Sequence, residues 1–288
     1  MTEFYLREDF AGGELAQVKC AADLLNWAQE VARAASAQEV YRHKEGRKTL
    51  RFRRHDRTFF LKLHSGVGWA EVVKNLLQGR LPVIGAANEF HAVQALARIG
   101  VDTLSVAAYA CAGRNPASQQ SLLVTDDLVG TVSLEDYCAD WAVTPPAPGT
   151  RMRLIRKLAD SARRMHEAGI NHRDFYICHF HLDESSLSGH ALRCYLIDLH
   201  RAQLRRRTPR RWRVKDLAGL YFSAMDCGLT RRDVMRFMRH YCAGGLRQAL
   251  VDDPGLWRHV NRRAAQLYRK GHGTEPPQIA TTGCPASG

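Results

Sequence analysis

The stretch NHRDFYICHF, residues 171–180, decides the fold class of this chain. It follows an amphipathic helix predicted over 151–168 and places one carboxylate, Asp174, in a polar loop behind that helix. A second carboxylate, Asp198, ends the apolar strand within YLIDLH, residues 195–200. Two carboxylates at the ends of short hydrophobic elements suit a general base and a metal ligand.

A lysine upstream extends this pattern, because Lys62 lies inside the apolar strand FFLKL, residues 59–63. A buried ammonium needs an anionic partner, and we predict Glu89 on a following helix, with Glu71 as its rival. Phosphoryl transfer from ATP uses a phosphate-binding lysine, a carboxylate that aims it, a metal-binding carboxylate and a carboxylate that accepts the hydroxyl proton. These groups occur here in the order that protein kinases use.

Two features depart from an ordinary protein kinase. The loop KEGRKTL, residues 44–50, contains one glycine and no glycine-rich repeat, so we expect Arg47 and Lys48 to approach the phosphates with their side chains. His179 stands five residues after Asp174, where kinases place a metal-binding asparagine. We predict it as a second metal ligand, although Mg²⁺ prefers oxygen.

The remaining nucleotide contacts are predicted at the end of the last strand of the small lobe. That segment contributes Thr125, Asp126 and Leu128. We expect ATP to bind in a cleft between the two predicted lobes, near this segment and near Lys62 and Asp198.

Hydrophobic periodicity predicts an α+β chain with a strand-rich first half and a helical second half. Strands are predicted over 39–42, 49–54, 58–64, 104–110 and 121–125, and a further strand ends at 197. Helices are predicted over 21–35, 69–78, 86–99, 151–168, 214–227, 230–242 and 254–270. The predicted domains are a helical extension (1–36), a small lobe with an antiparallel sheet (37–128), a helical lobe (129–270) and a disordered tail (271–288).

The charge balance predicts an anionic partner. Lys plus Arg number 42 and Asp plus Glu 29 in 288 residues, which gives a net charge of +13. Much of the surplus lies in RAQLRRRTPRRWRVK, residues 201–215, and arginine grips phosphate and carboxylate oxygens in pairs. We therefore predict an acceptor-binding role for the arginines at its centre, namely Arg205, Arg206, Arg207, Arg210 and Arg211. The chain has no apolar run long enough to span a bilayer, and its eight scattered cysteines suit a reducing compartment.

Several stretches together resemble the lipopolysaccharide core heptose(I) kinase family of Gram-negative bacteria. The stretches are NHRDFYICHF, IDLHRAQ (197–203), RRWRVKDLAGLYFSAMDCGLTRRD (210–233), EGRKTLRF (45–52) and FLKLHSGVGWAEVVKNLLQGRLPVIGA (60–86). The resemblance covers about residues 38–270. His-Arg-Asp alone is a weak signal, but its extension through Tyr176 to Phe180 is not a general kinase feature.

The resemblance implies a protein-kinase-like fold and transfer of the ATP γ-phosphate to the 4-hydroxyl of the first heptose of the inner core. It implies Asp174 as general base, Asp198 as Mg²⁺ ligand, Lys62 as the phosphate-contacting lysine and Glu89 as its partner. The expected acceptor is the lipid A–Kdo–heptose part of lipopolysaccharide, at the cytoplasmic face of the inner membrane. The expected protein is a monomer at this anionic membrane surface, with acyl carrier protein as a candidate partner.

Alternatives stay open at this point. A Kdo kinase or a tyrosine protein kinase could use the same fold, and acceptor competition would separate them. A nucleic-acid-binding module or a pseudokinase scaffold would also explain the basic charge. It would bind nucleic acid with a steep salt dependence and without Mg-ATP. We expect no nucleic-acid partner, and one further residue, Asp216, is predicted to anchor the backbone of the catalytic loop.

Overall fold

The computed structural model describes residues 2–36, 40–44, 46–66, 68–69, 85–113, 115 and 117–279. The chain divides into two compact units, of which the first comprises Met1–Gln94 with Leu104–Val129 and the second Ala95–Thr103 with Gly130–Gly288. The helix predicted over 69–78 lies, beyond its first residue, outside the described residues, and so do Glu71 and residues 280–288 of the predicted tail. The domain boundaries predicted from the sequence stay a prediction.

The first unit is built on an antiparallel sheet of six strands. Its strands are β1 (Glu3–Leu6), β2 (Val40–Lys44), β3 (Arg47–Arg54), β4 (Arg57–His64), β5 (Val106–Ala112) and β6 (Gln120–Asp126), in the spatial order β1-β5-β6-β4-β3-β2. Helix α1 (Ala21–Ala34) packs on one face, where Leu24 and Ala28 meet Leu50, Leu61 and Val124 in the core. Helix α2 (Ala87–Arg98) begins in this unit.

The first 36 residues are not a purely helical extension. Strand β1 pairs with β5 at the sheet edge, with Tyr5 opposite Tyr109. Phe10, Leu15 and Trp27 lie in the same buried cluster as the sheet side chains. The segment therefore forms part of the core of the first unit.

The second unit is mainly helical. Its helices are α3 (Leu134–Tyr137), α4 (Pro148–Glu167), α5 (Arg210–Ala224), α6 (Arg231–Tyr241), α7 (Gly245–Arg247) and α8 (Pro254–His272), and a π-helical turn, Gln248–Asp252, follows α7. Short strands β7 (Thr131–Ser133), β9 (Phe180–Asp183) and β10 (Cys194–Leu196) form one small sheet, and β8 (Ile170–Asn171) pairs with β11 (Gln203–Leu204). Helix α5 packs against α8, and α4 packs against α6.

Most predicted helices and strands lie within a few residues of the observed ones. The predicted start of α6 is confirmed: Thr230 and Asp233 form a capping box, in which each side chain accepts the backbone N–H of the other. The helix predicted from 214 is wrong at its start, because α5 begins at Arg210, directly after Pro209. The last part of the arginine-rich stretch is therefore helical, and proline before the first turn is a natural helix start.

The described helices include no candidate membrane span. None of them combines the length and the apolar character that crossing a bilayer requires.

Candidate active site

In the first unit, Lys62 and Glu89 form an ion pair. The ammonium Nζ of Lys62 donates a hydrogen bond to Glu89 Oε1 at 2.5 Å. Side chains alternate along a strand, so the neighbours of Lys62 in β4, Leu61 and Leu63, face the α1 core while Lys62 faces the opposite side of the sheet. Glu89 reaches it from the first turn of α2.

The burial of this pair is uneven. The Glu89 side chain is 1% exposed and that of Lys62 is 22% exposed. The second carboxylate oxygen, Glu89 Oε2, is buried without a hydrogen-bond partner among the described residues. The buried Glu89 carboxylate therefore holds the Lys62 ammonium in one direction. A lysine that contacts phosphates needs such a fixed direction.

The predicted phosphate contact of Lys48 is wrong. Thr49 lies directly opposite Lys62 in the ladder, so these two residues share a face of the sheet, whereas Lys48 points to the other face. There its ammonium donates to the backbone carbonyl of Ala32 in α1. Arg47, two residues before Thr49, shares the face of Lys62.

The segment Thr125–Leu128 is engaged largely in structural contacts. Thr125 is buried in β6 and is paired with Phe60 of β4 and Val106 of β5. The Asp126 carboxylate accepts two bonds from Arg7, at 2.7 and 2.9 Å, and one from Arg57 at 2.8 Å. The Asp126 side chain is thus committed to arginines, and the predicted contact of Asp126 with the nucleotide stays a prediction.

The Asp126 backbone and Leu128 complete the description of this segment. The Asp126 backbone N–H donates to the Ser105 carbonyl at 2.9 Å. Leu128 lies beyond the end of β6 and is half-buried. Its predicted contact with the nucleotide stays a prediction.

In the second unit, Asp216 holds the loop that carries Asp174. The fully buried Asp216 carboxylate accepts the backbone N–H groups of His172 and Arg173, each at 2.8 Å. Arg173 has φ of 77°, a left-handed conformation that costs free energy in a residue with a side chain. His172 Nε2 donates to the Ile197 carbonyl at 2.9 Å, next to Asp198. The predicted anchoring role of Asp216 is confirmed.

The Asp174 carboxylate is oriented by an arginine that the sequence did not single out. Arg201 Nη1 donates to both carboxylate oxygens of Asp174, at 3.0 Å each. The Asp174 side chain is 17% exposed. Because each carboxylate oxygen has two lone pairs, both oxygens can accept a further hydrogen bond while Arg201 holds them.

His179 lies between Asp174 and Asp198. His179 Nδ1 donates to the Asp174 carbonyl at 2.6 Å, and Nε2 is 3.5 Å from Asp198 Oδ2. Burial lowers the pKa of His179, but hydrogen bonds with Cys178 and the Asp174 carbonyl, with the charge of Asp198, outweigh it and raise the pKa to about 9. The predicted residues Asp174, Asp198 and His179 are therefore brought together.

Asp198 is held in an unusual conformation. Its φ is 60°, and its Oδ1 accepts a hydrogen bond from His200 Nδ1 at 2.5 Å. The Asp198 side chain is 37% exposed. Left-handed backbone in a non-glycine residue concentrates at functional sites, where the surroundings impose it.

The donor set fits Mg²⁺ in part. Asp198 offers a partly exposed carboxylate, and Mg²⁺ often takes only one or two protein carboxylates because substrate phosphates and water complete its shell. His179 donates Nδ1–H to the Asp174 carbonyl, which leaves Nε2 beside Asp198 Oδ2, and its predicted role as a second metal ligand stays a prediction because Mg²⁺ prefers oxygen. Within the described ranges no group of three His, Cys, Asp or Glu side chains could hold a metal ion.

Three of the five predicted acceptor-binding arginines line two separate grooves, and Arg205 and Arg206 line neither of them. Arg205 donates to Asn171 Oδ1 at 2.5 Å and to Gln203 Oε1 at 2.6 Å, beside the catalytic loop. Arg207 and Arg210 line a groove that also contains Asp253, to which Arg210 is paired at 3.1 Å. Arg211 lines the second groove. The Arg206 side chain is exposed.

An apolar cavity of about 300 Å³ lies within the second unit. Its walls come from α4, α5, α6 and α8, through residues such as Leu158, Leu217, Phe237 and Val260. The sequence predicted the helices that carry these side chains and not the cavity, because a cavity depends on how helices distant in the sequence pack together.

Comparison with known proteins assigns these features to a family. The family model described as lipopolysaccharide kinase (Kdo/WaaP) family matches residues 31–241. The chain belongs to the lipopolysaccharide kinase (Kdo/WaaP) family. The chain is 48% identical over 233 residues to the lipopolysaccharide core heptose(I) kinase WaaP of Pseudomonas aeruginosa, a match that covers 81% of this chain and 87% of that protein. It is 49% identical over 234 residues to the protein of that name from Escherichia coli, with 81% and 88% covered.

A solved structure gives the same assignment. This structure, WaaP in complex with acyl carrier protein, aligns with a TM-score of 0.75 and 40% identity, over 92% of this chain and 99% of that one. The predicted α+β, protein-kinase-like fold class is confirmed, and so is the predicted family. As a member of the Kdo/WaaP family, this chain is a kinase.

Proposed function

We propose that this chain transfers the γ-phosphate of ATP to the 4-hydroxyl of the first heptose in the lipopolysaccharide inner core. The observation that carries the proposal is the line of contacts from Asp174 through His179 to Asp198, with Arg201 on the Asp174 carboxylate. The relatives named lipopolysaccharide core heptose(I) kinase support the acceptor.

Each side chain has one task in the proposed reaction. Asp174 accepts the proton of the heptose hydroxyl while that oxygen forms a bond to the γ-phosphorus. The bond from the γ-phosphorus to the β,γ-bridging oxygen breaks, and ADP leaves with the electron pair. Arg201 holds the Asp174 carboxylate in one orientation, and Lys62, aimed by Glu89, contacts the ATP phosphates.

Asp198 is the residue that would hold Mg²⁺. When bound, Mg²⁺ neutralises charge on the transferring phosphate. His200 holds one Asp198 oxygen, and His179 lies next to the other, so both histidines position the carboxylate in this proposal.

The decisive experiment is transfer from labelled ATP to core lipopolysaccharide stripped of its heptose phosphate, with mass analysis of the product. Phosphorylation of heptose supports the proposal. Phosphate on Kdo in an acceptor without heptose, or on tyrosine of the protein, would replace it with one of the alternatives. Asp174→Asn should abolish transfer while ATP still binds, and wild-type turnover in that variant would refute the role of the base.

We also propose that the protein works at the cytoplasmic face of the inner membrane and binds acyl carrier protein. The net charge of +13 suits both an anionic membrane and an acidic protein. The solved WaaP relative is in complex with acyl carrier protein, and the apolar cavity of about 300 Å³ has the chemistry that an acyl chain needs. Co-purification with acyl carrier protein that depends on its acyl group would support this partner, and equal binding of the unacylated form would remove the cavity from the proposal.

A further inference from the structure

One tryptophan in the second unit is surrounded by positive charges. Trp212 lies in the first turn of α5, and its ring centroid is 5.3 Å from the guanidinium carbon of Arg173, 5.7 Å from that of Arg205 and 5.4 Å from that of Arg211. The ammonium nitrogen of Lys215 is 5.6 Å away. An indole face attracts cations, so this ring collects four of them in one place.

The charged surface continues onto helix α8. Arg211, Trp212 and Lys215 share a groove of about 380 Å³ with His259, Arg262, Arg263 and Gln266. We call this the Trp212 groove. Arg262 and Arg263 are exposed, and in the described part of the chain neither they nor Lys215 form an ion pair with a carboxylate. The groove therefore carries a surplus of positive charge.

The cations in and beside the groove act on one another. Burial lowers the pKa of Lys215, and the charges of Arg173 and Arg201 lower it further, while Asp174 opposes them. Burial lowers the pKa of Arg173 in the same way, with added repulsion from Arg201 and Arg205. Like charges held this close destabilise the protein unless an anion binds among them.

The groove lies close to the catalytic base. Arg173 directly precedes Asp174 in the loop, and its guanidinium carbon lies 5.3 Å from the centroid of the Trp212 ring. The charge of Asp174 also raises the pKa of Lys215, against the effect of burial. Arg263 of α8 acts on Tyr176, whose pKa is raised by burial and by the charge of Asp174. An anion in the groove would thus lie near the hydroxyl that Asp174 deprotonates.

We propose that the Trp212 groove binds the carboxylate of the Kdo sugar next to the reacting heptose. This inference rests on the proposed function and names the part of the acceptor that the groove takes. Guanidinium groups bind carboxylates in pairs of hydrogen bonds, which suits Arg211, Arg262 and Arg263. The phosphates of lipid A lie farther along the acceptor than this sugar, and the closeness of the groove to Asp174 favours the nearer anion.

The test measures binding of a deacylated core saccharide that contains Kdo and heptose without heptose phosphate, by calorimetry in the absence of ATP. The variant Arg262→Gln/Arg263→Gln changes two exposed side chains for one of similar helix propensity, so the fold is retained. The control Arg232→Gln/Arg239→Gln removes the same charge from exposed positions of α6 that do not line the groove.

The groove variant should bind the saccharide about tenfold more weakly and the control about as well as wild type, because charge-assisted hydrogen bonds are lost in the first alone. With a saccharide whose carboxylates are reduced to alcohols, wild type and groove variant should bind equally weakly. Lys215→Gln should also weaken binding of the intact saccharide. The KM for ATP should stay unchanged in the groove variant Arg262→Gln/Arg263→Gln.

Two results would overturn the inference. One is an equal effect of the groove variant on the intact and the carboxyl-reduced saccharide. The other is a loss that follows removal of lipid A phosphates, or that appears on phosphatidylglycerol vesicles without saccharide, since the groove would then serve a phosphate or the membrane. If wild type binds the saccharide through its carboxylates but never phosphorylates it, the proposed function fails and the groove assignment stands.

Discussion

Removal of the ammonium from the Lys62–Glu89 pair should destabilise the protein more than removal of both charges. In the variant Lys62→Met the Glu89 carboxylate, 1% exposed, keeps its place without a cation. At the observed 2.5 Å and an effective dielectric constant of about 20, the gross attraction between the two charges is about 6–7 kcal/mol. Much of this attraction is offset by desolvation, so loss of one partner should cost about 3–5 kcal/mol of unfolding free energy.

The double variant separates this electrostatic effect from packing. Lys62→Met/Glu89→Leu removes both charges and keeps apolar volume, and its stability should return to within about 1 kcal/mol of wild type. Urea unfolding followed by circular dichroism measures all three proteins. Phosphate transfer should be absent in both variants, because both lack the ammonium that we propose contacts the ATP phosphates.

Either of two results would refute this reasoning. Wild-type stability in Lys62→Met would mean that Glu89 does not depend on the ammonium. A double variant as unstable as the single one would mean that packing, and not charge, holds α2 against the sheet.

Three further predictions concern the second unit. Asp216→Asn should lose about 2–4 kcal/mol in urea unfolding and lower kcat, because a charged acceptor of two buried N–H groups is replaced by a neutral one; an unchanged kcat would show that the loop needs no anchor. Gly169→Ala should abolish activity or soluble expression, since φ is +80° and a Cβ would lie 1.8 Å from the Arg205 carbonyl oxygen; a fully active variant would contradict this packing. Thr230→Val should cost about 1 kcal/mol through loss of the α6 cap, and thermal melting that matches wild type would contradict the role of the capping box.

Local patterns were sufficient for the central strands and the long helices. Runs of β-branched and aromatic residues marked β3 and β4, and the turn at His55 and Asp56 separated them. Strand β1 escaped prediction because its partner β5 lies about a hundred residues later, and a pairing over that distance leaves no local signal. The same reason hides the bonds from Arg7 to Asp126.

The candidate site was predictable where its residues follow one another along the chain in the order that protein kinases use. The pairing of Lys62 with Glu89 and the nearness of Asp174 to Asp198 follow from that order. Arg201 was not singled out, because one arginine among many in a basic stretch has no distinguishing neighbour. Lys48 was misassigned although a signal existed: it alternates in phase with the buried Leu50, and this parity sends it to the α1 face.

The two-residue ladder between β8 and β11 limits how this enzyme can diverge. It places Gln203 opposite Asn171. Asn171 lies three residues before Asp174, the proposed base, and Gln203 lies two residues before Arg205. A mutation that moves the stretch around Gln203 to accommodate a new glycan would also displace Asp174, so natural selection would act against it. Within the described residues no strand ladder joins helix α8 to this loop, and changes in acceptor preference between relatives should therefore accumulate in its exposed arginines.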